Sequence, residues 1–217
     1  MRRRTLARAA SLGALAATAA YFCVGNAQAS DEYIAIRGSF AVSDGARATV
    51  VYIPVKATFS NGGGGSLVIG SKSDWLGVRL EIEGLYRGFS TKALVSGGAR
   101  LPVSGRVNVF APMVNAIFDV PVPDAFPVKP FVGIGIGGIY ADVRPPANSV
   151  ALVDDGGWGF GYQAMLGANV PMTERSSFTA QLRYLASPGV PLHAVGGLPF
   201  DANFSTESVD LGFQYNL

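Results

Sequence analysis

Arg79, Glu81, Glu83 and Arg87 are separated from one another by even numbers of residues, inside the segment WLGVRLEIEGLYRGF that runs from Trp75 to Phe89. In an extended chain that spacing puts all four on one face, whereas a helix would scatter them around its circumference. Two carboxylates and two guanidiniums on one face can neutralise each other as ion pairs or line a path for ions. Arg37, Asp119, Arg183 and Asp210 occupy the equivalent face of other extended segments and join the set. Mixed signs at short spacing pair more readily than they conduct, so a structural network of salt bridges is expected rather than a gated path.

A catalytic reading would have to rest on a histidine base and fares worse. The only imidazole is His193, at the end of the Pro- and Gly-rich run Pro188-Gly189-Val190-Pro191-Leu192-His193, with no serine on an adjoining strand to activate. A surface-loop histidine is expected there, and no catalytic, metal-binding or cofactor-binding residues are assigned. The run Gly133-Ile134-Gly135-Ile136-Gly137-Gly138 matches a dinucleotide fingerprint in letters only, because its glycines lie within a strand instead of between a strand and a helix. Small residues facing a crowded interior explain it. Gly62 to Gly65 precede no Gly-Lys-Ser/Thr, so Ser60 to Ser66 reads as a flexible linker and not a phosphate cradle.

The elements that must position the charges are strands. Period-two alternation marks eight segments: Glu32 to Val42, Ser66 to Lys72, Trp75 to Phe89, Gly105 to Asp119, Phe131 to Val143, Gly157 to Val170, Ser176 to Leu185, and a last one ending Ser208 to Leu217. A tight turn is expected at Ser73-Asp74, and a bulge or strand end at Pro112, which has no N–H for the ladder. A ninth candidate, Thr49 to Phe59, is interrupted by Pro54. Since membrane barrels of this kind have an even number of strands, it is assigned to a ribbon in the first long loop, rising beyond the membrane.

Three arginines after Met1, an apolar Ala9 to Val24 of about 16 residues and the sequence Ala27-Gln28-Ala29 before Ser30 form a secretory signal with an A-x-A cleavage site. The apolar core is shorter than the roughly 20 residues of a membrane span. Residues 1–29 carry four arginines and no acids, so the remaining 188 residues hold 13 basic against 15 acidic side chains, a net charge of −2, and no basic footprint for nucleic acid. The one cysteine, Cys23, leaves with the signal, and residues 30–217 fit one domain. Only 15% of the chain is charged and mean hydropathy is +0.30, yet no long apolar run follows the signal. Alternating lipid-facing and lumen-facing residues give that combination.

A soluble barrel alternates too, but connections that are alternately short and long, and aromatics near strand ends at Tyr86, Phe118, Tyr140, Trp158, Tyr184 and Tyr215, favour apolar side chains outward in lipid with an interfacial girdle. The fold class expected is all-β: an eight-stranded antiparallel up-and-down transmembrane β-barrel preceded by a cleaved signal peptide. Arg79-Leu80-Glu81-Ile82-Glu83-Gly84-Leu85-Tyr86-Arg87, Met113-Val114-Asn115-Ala116, Pro130-Phe131-Val132-Gly133-Ile134-Gly135, Gly161-Tyr162-Gln163-Ala164 and Leu182-Arg183-Tyr184 are, in that order, similar to landmarks of the outer-membrane protein A-like, opacity-type β-barrel family of Gram-negative surface antigens.

The resemblance implies a surface protein with a plugged polar lumen whose loops make any host or cell-surface contacts. A small diffusion channel comes second and a lipid A-modifying enzyme third. Partners implied are outer-membrane lipid and lipopolysaccharide, the secretion and barrel-assembly machinery, and no nucleic acid, for a monomer without cofactors. Leu217 stands where the family ends in an aromatic, so Phe213 and Tyr215 are expected to serve assembly instead, and no cell-wall tether is implied.

Overall fold

The computed structural model describes residues 32–50, 53–73, 78–123, 125–144, 155–193 and 199–217. The signal segment with Ala27, Ala29 and Ser30, the turn at Asp74 and the start of the third expected strand at Trp75 lie outside them. Nine strands are described: β1 (Glu32–Val50), β2 (Ile53–Phe59), β3 (Gly62–Ser73), β4 (Val78–Ser96), β5 (Ala99–Asp119), β6 (Lys129–Arg144), β7 (Asp155–Pro171), β8 (Ser176–His193) and β9 (Pro199–Asn216). All neighbours are antiparallel, and β1 pairs with β9 from Tyr33↔Asn216 upward, so the sheet closes on itself. Closure removes the edges that hydrocarbon could not satisfy.

Nine strands fill eight places in the wall. β3 lies between β1 and β4 in the lower half, with Ile36↔Leu67 and Leu67↔Gly84. β2 lies between the same two strands above it, with Ala46↔Ala57 and Ala57↔Leu94. The expected ribbon at Thr49 to Phe59 is therefore an upper tier of the wall, bonded on both sides. The expected linker is corrected as well: Gly62 to Gly65 are ladder residues of β3. A side chain at Gly62 would strike the Phe89 ring, and one at Gly64 the Tyr86 carbonyl, so glycine is what lets the walls approach there.

Three other expectations change for related reasons. Polar, glycine-rich Ser90 to Ser104, which its composition predicts to be a connection, is no loop: β4 and β5 continue as a hairpin to Ser96↔Ala99, turned by Gly97 and Gly98 at φ of 55° and 84°. Two adjacent positive φ values are what a two-residue hairpin turn matching strand twist demands. Pro112 causes neither bulge nor strand end; it pairs opposite Gly84, and β5 keeps its register with β6 from Phe110↔Tyr140 to Met113↔Gly137 across it. The ladder to β6 skips Ala111 and Pro112 and resumes in the same register, so the missing donor leaves a gap on one side and no bulge. His193 is not in a loop but at the exposed end of β8, opposite Pro199, after a register shift between Ser187 and Val190 absorbs the proline-rich run.

Polarity inverts along the barrel. Toward the short-turn end Ile36, Leu67, Ile134, Leu166, Leu182 and Leu211 face outward, more than half exposed, while charged and amide side chains face in. Toward the other end Arg47, Ser90, Arg106, Arg144, Asp201 and Asn203 face outward, and Phe89, Val107, Val109, Ile139, Leu185, Val190 and Phe204 form a buried cluster inside. The sequence reading of polar inside and apolar outside holds only for the first part. A wall surrounded by water buries its apolar face inward, whereas one surrounded by hydrocarbon turns it outward, so the reversal marks where the membrane stops.

Candidate functional site

All eight charged residues picked out by spacing meet in the lumen, seven of them below the apolar cluster and Arg87 at its lower edge, opposite Val109. They form one chain of alternating sign. Asp119 pairs with Arg79 at 2.9 Å, Arg79 with Glu81 at 3.8 Å, Glu81 with Arg37 at 2.8 Å, Arg37 with Glu83 at 3.8 Å, Glu83 with Arg183 at 2.7 Å, Arg183 with Asp210 at 2.7 Å and Asp210 with Arg87 at 3.5 Å. Four guanidiniums face four carboxylates, so these charges cancel. Strand β4 supplies Arg79, Glu81 and Glu83 from successive inward positions and Arg87 from one position past the buried Leu85, and β1, β5, β8 and β9 supply the rest across the bore. Asp119, about a third exposed at the lower rim, is the end of the chain that meets solvent.

Neutral residues complete the layer. The Tyr33 hydroxyl donates to Glu81 at 2.7 Å and accepts from Arg79 at 2.9 Å, and its ring lies 5.4 Å from the Arg79 guanidinium carbon. Asn115 and Gln163 each donate to Glu83 at 3.0 Å, Gln181 donates to Asp210 at 3.0 Å, and Arg87 donates to Thr206 at 2.9 Å and Ser208 at 2.6 Å. Sequence reasoning missed these polar partners although they occupy the same inward registers, because nothing but cross-barrel distance singles out an amide among other amides. Buried charges need such partners, since an unmatched one costs several kcal/mol; Arg37 Nε, Arg87 Nε and Gln181 Oε1 are the buried atoms of the network left without a hydrogen bond.

The glycines of β6 make room. A Cβ on Gly135 would collide with the Asn115 side chain, one on Gly133 with Ile117, and one on Gly137 with the Pro112 carbonyl. They face inward and have no phosphate-binding geometry. On the outer wall, Tyr86, Phe110, Tyr140 and Trp158 are consecutive ladder partners in one row, with Tyr140 and Trp158 ring centroids 5.2 Å apart and Phe110 and Trp158 6.4 Å apart. Tyr184 sits beside Tyr162 at 6.5 Å. Phe118 and Tyr215 lie at the opposite end, next to Asp119 and Asn216. The aromatics thus form two separated levels, the upper one at the polarity reversal; Phe110 is a member that strand register adds.

A closed antiparallel wall, apolar outside over one span and bounded by aromatics, with its charges folded inward, defines an integral β-barrel of the outer membrane. Residues 9–216 match the family model described as outer membrane protein beta-barrel domain, and the chain belongs to that family. It is 31% identical over 117 residues to an outer membrane protein of Gluconacetobacter diazotrophicus, an alignment covering 49% of this chain and 31% of that longer relative. The fold is shared with Neisserial surface protein A (TM-score 0.57, 16% identity, 86% of this chain and 97% of that one). It is shared too with OprG from Pseudomonas aeruginosa (TM-score 0.56, 13% identity, 86% and 97%). The chain is accordingly an outer-membrane protein of the Gram-negative type.

Proposed function

We propose that this is a structural, surface-exposed barrel without enzyme activity, whose lumen is closed and whose contacts are made by the wall and hairpins above the membrane. The observation that carries it is the pair of layers across the bore: the neutralised ionic chain and, above it, the apolar cluster in which the Phe89 ring meets Phe59 at 6.2 Å, tilted, and Phe204 at 6.0 Å, edge to face. An ion crossing would have to break paired charges and then enter an apolar layer, and either step opposes conduction. The hairpins β4–β5 and β8–β9 and the tier made by β2 are bonded into one sheet, which offers any host or neighbouring-cell partner a preformed surface. Secretion and barrel-assembly machinery, outer-membrane lipid and lipopolysaccharide complete the proposed partners, for a monomer without cofactor.

Planar-bilayer reconstitution of the full chain tests the reading. The expected result is no steady conductance from the wild type. Steady conductance that changes when Arg79 or Glu83 is neutralised overturns it in favour of a diffusion channel, and lipid A mass shifts that depend on His193 overturn it in favour of an enzyme.

A further inference from the structure

Immediately above the upper aromatic row, the outer wall carries two arginines in direct opposition: Arg106 on β5 and Arg144 on β6 are ladder partners, and both are exposed. Their neighbours Val107 and Val143 turn inward to the apolar cluster, which fixes the arginines outward. Ser90 on β4 extends the row as the partner of Arg106. Arg106 and Phe110 are four residues apart on β5, about 10 Å along the membrane normal for a strand tilted as in such barrels. Like charges directly opposed in a ladder are destabilising unless something neutralises them. Asp142 meets only Arg144, at 2.7 Å, and leaves that side chain 69% exposed; Arg106 has no ion-pair partner among the described residues.

We propose that Arg106 and Arg144, with Ser90 beside them, bind the phosphate groups of an outer-leaflet lipid whose acyl chains lie against the apolar wall below the Tyr86–Phe110–Tyr140–Trp158 row. Guanidinium forks match phosphate oxygens in bidentate fashion and tolerate the interface better than ammonium groups. The aromatic row marks the edge of the hydrocarbon, and the arginines stand about 10 Å beyond it, on the headgroup side. An anion shared between the two side chains supplies the neutralisation that Asp142 gives to one alone. The inference deepens the reading of the protein as a membrane-embedded surface barrel and rests on the arginine end facing out of the cell.

The test uses the full chain refolded in detergent and titrated with hexa-acylated bisphosphorylated lipid A, then with the same lipid stripped of its phosphates. The expected result is that Arg106→Gln with Arg144→Gln weakens the bisphosphorylated lipid at least tenfold and leaves the stripped lipid unchanged. Arg175→Gln, at an exposed turn on the opposite rim, is expected to change neither. Equal affinity of the double variant and the wild type for bisphosphorylated lipid A, or displacement by millimolar inorganic phosphate alone, overturns the proposal. Retained heat-modifiable mobility certifies that the variant is folded, and conductance, which tests the closed lumen, is a separate readout.

Discussion

Arg183 and Glu83 meet fork to fork across the barrel: Nη1 donates to Oε2 at 2.8 Å and Nη2 to Oε1 at 2.7 Å, between residues 100 positions apart in the chain. The same guanidinium gives its Nε to Asp210 at 2.7 Å. Arg183→Met should therefore strand two carboxylates at once and cost about 3–5 kcal/mol, the range for a broken buried pair. Exchanging the two residues, Glu83→Arg with Arg183→Glu, restores the fork but sets a carboxylate against Asp210, so recovery should be partial. Urea midpoints of the refolded barrel in lipid vesicles measure both; a single variant as stable as the wild type would mean the chain of charges does not hold the wall together.

That network was legible in sequence because β4 displays four of its charges at even spacing, and alternation transfers the same logic to Arg37, Asp119, Arg183 and Asp210. What alternation could not show was height. Leu85 and Phe89 share the inward register with Glu81 and Arg87, yet they belong to the apolar cluster, whose lower edge interleaves with the ionic layer at Arg87. Only the ladder, by placing Leu85 opposite Ala111 and Phe89 opposite Val107, reveals a second layer. The upper tier was obscured for a different reason: Pro54 and four glycines in a row look like a break, and what holds β2 and β3 in the wall besides their sequence neighbours is a long-range pairing each, β2 with β4 and β3 with β1.

Leu80 and Glu81 are adjacent on β4 and face opposite worlds, one 42% exposed on the outer wall and the other buried against Arg37. Leu80 is the partner of Ala116, two residues from the lower aromatic Phe118, so Leu80→Arg should cost about 1–2 kcal/mol, below the midplane value. Glu81→Leu should still insert, but with Arg37 and Tyr33 deprived of their acceptor the barrel should unfold at lower urea. Insertion efficiency into vesicles, read beside the urea midpoint, separates the two effects. Normal insertion and stability for both Leu80→Arg and Ile82→Arg would mean that this face does not lie in lipid.

Gly135 leaves space that the Asn115 amide uses while donating to Glu83. Gly135→Val should push that amide aside and overpack the layer, at a cost of about 1–3 kcal/mol. Adding Asn115→Ala should return part of that loss by vacating the volume, so the two effects should not add. Strictly additive urea midpoints would show that the glycine is not there to make room for Asn115.

The polarity reversal can be located on a single strand. On β5, Val114 faces outward four residues from Phe118 at the lower aromatic level and four from Phe110 at the upper one, which puts it near mid-depth; Asn108 is on the same outer side two residues beyond Phe110. Val114→Lys should cost about 2–4 kcal/mol, the midplane value for a cation against hydrocarbon, and Asn108→Lys no more than about 1 kcal/mol, as expected at or beyond the interface. Hydrophobicity of the replaced residue alone would predict a difference as well, so Val114→Asn and Val109→Lys complete the comparison. Val114→Asn removes the apolar side chain without adding a charge and should cost less than Val114→Lys. Val109→Lys puts the cation inward at nearly the height of Asn108, into the apolar cluster, and should be the more damaging of the two. If the lysines at 108 and 109 are tolerated equally, the cluster is not a dry layer; if those at 108 and 114 are, the membrane does not end at the Tyr86–Phe110–Tyr140–Trp158 row.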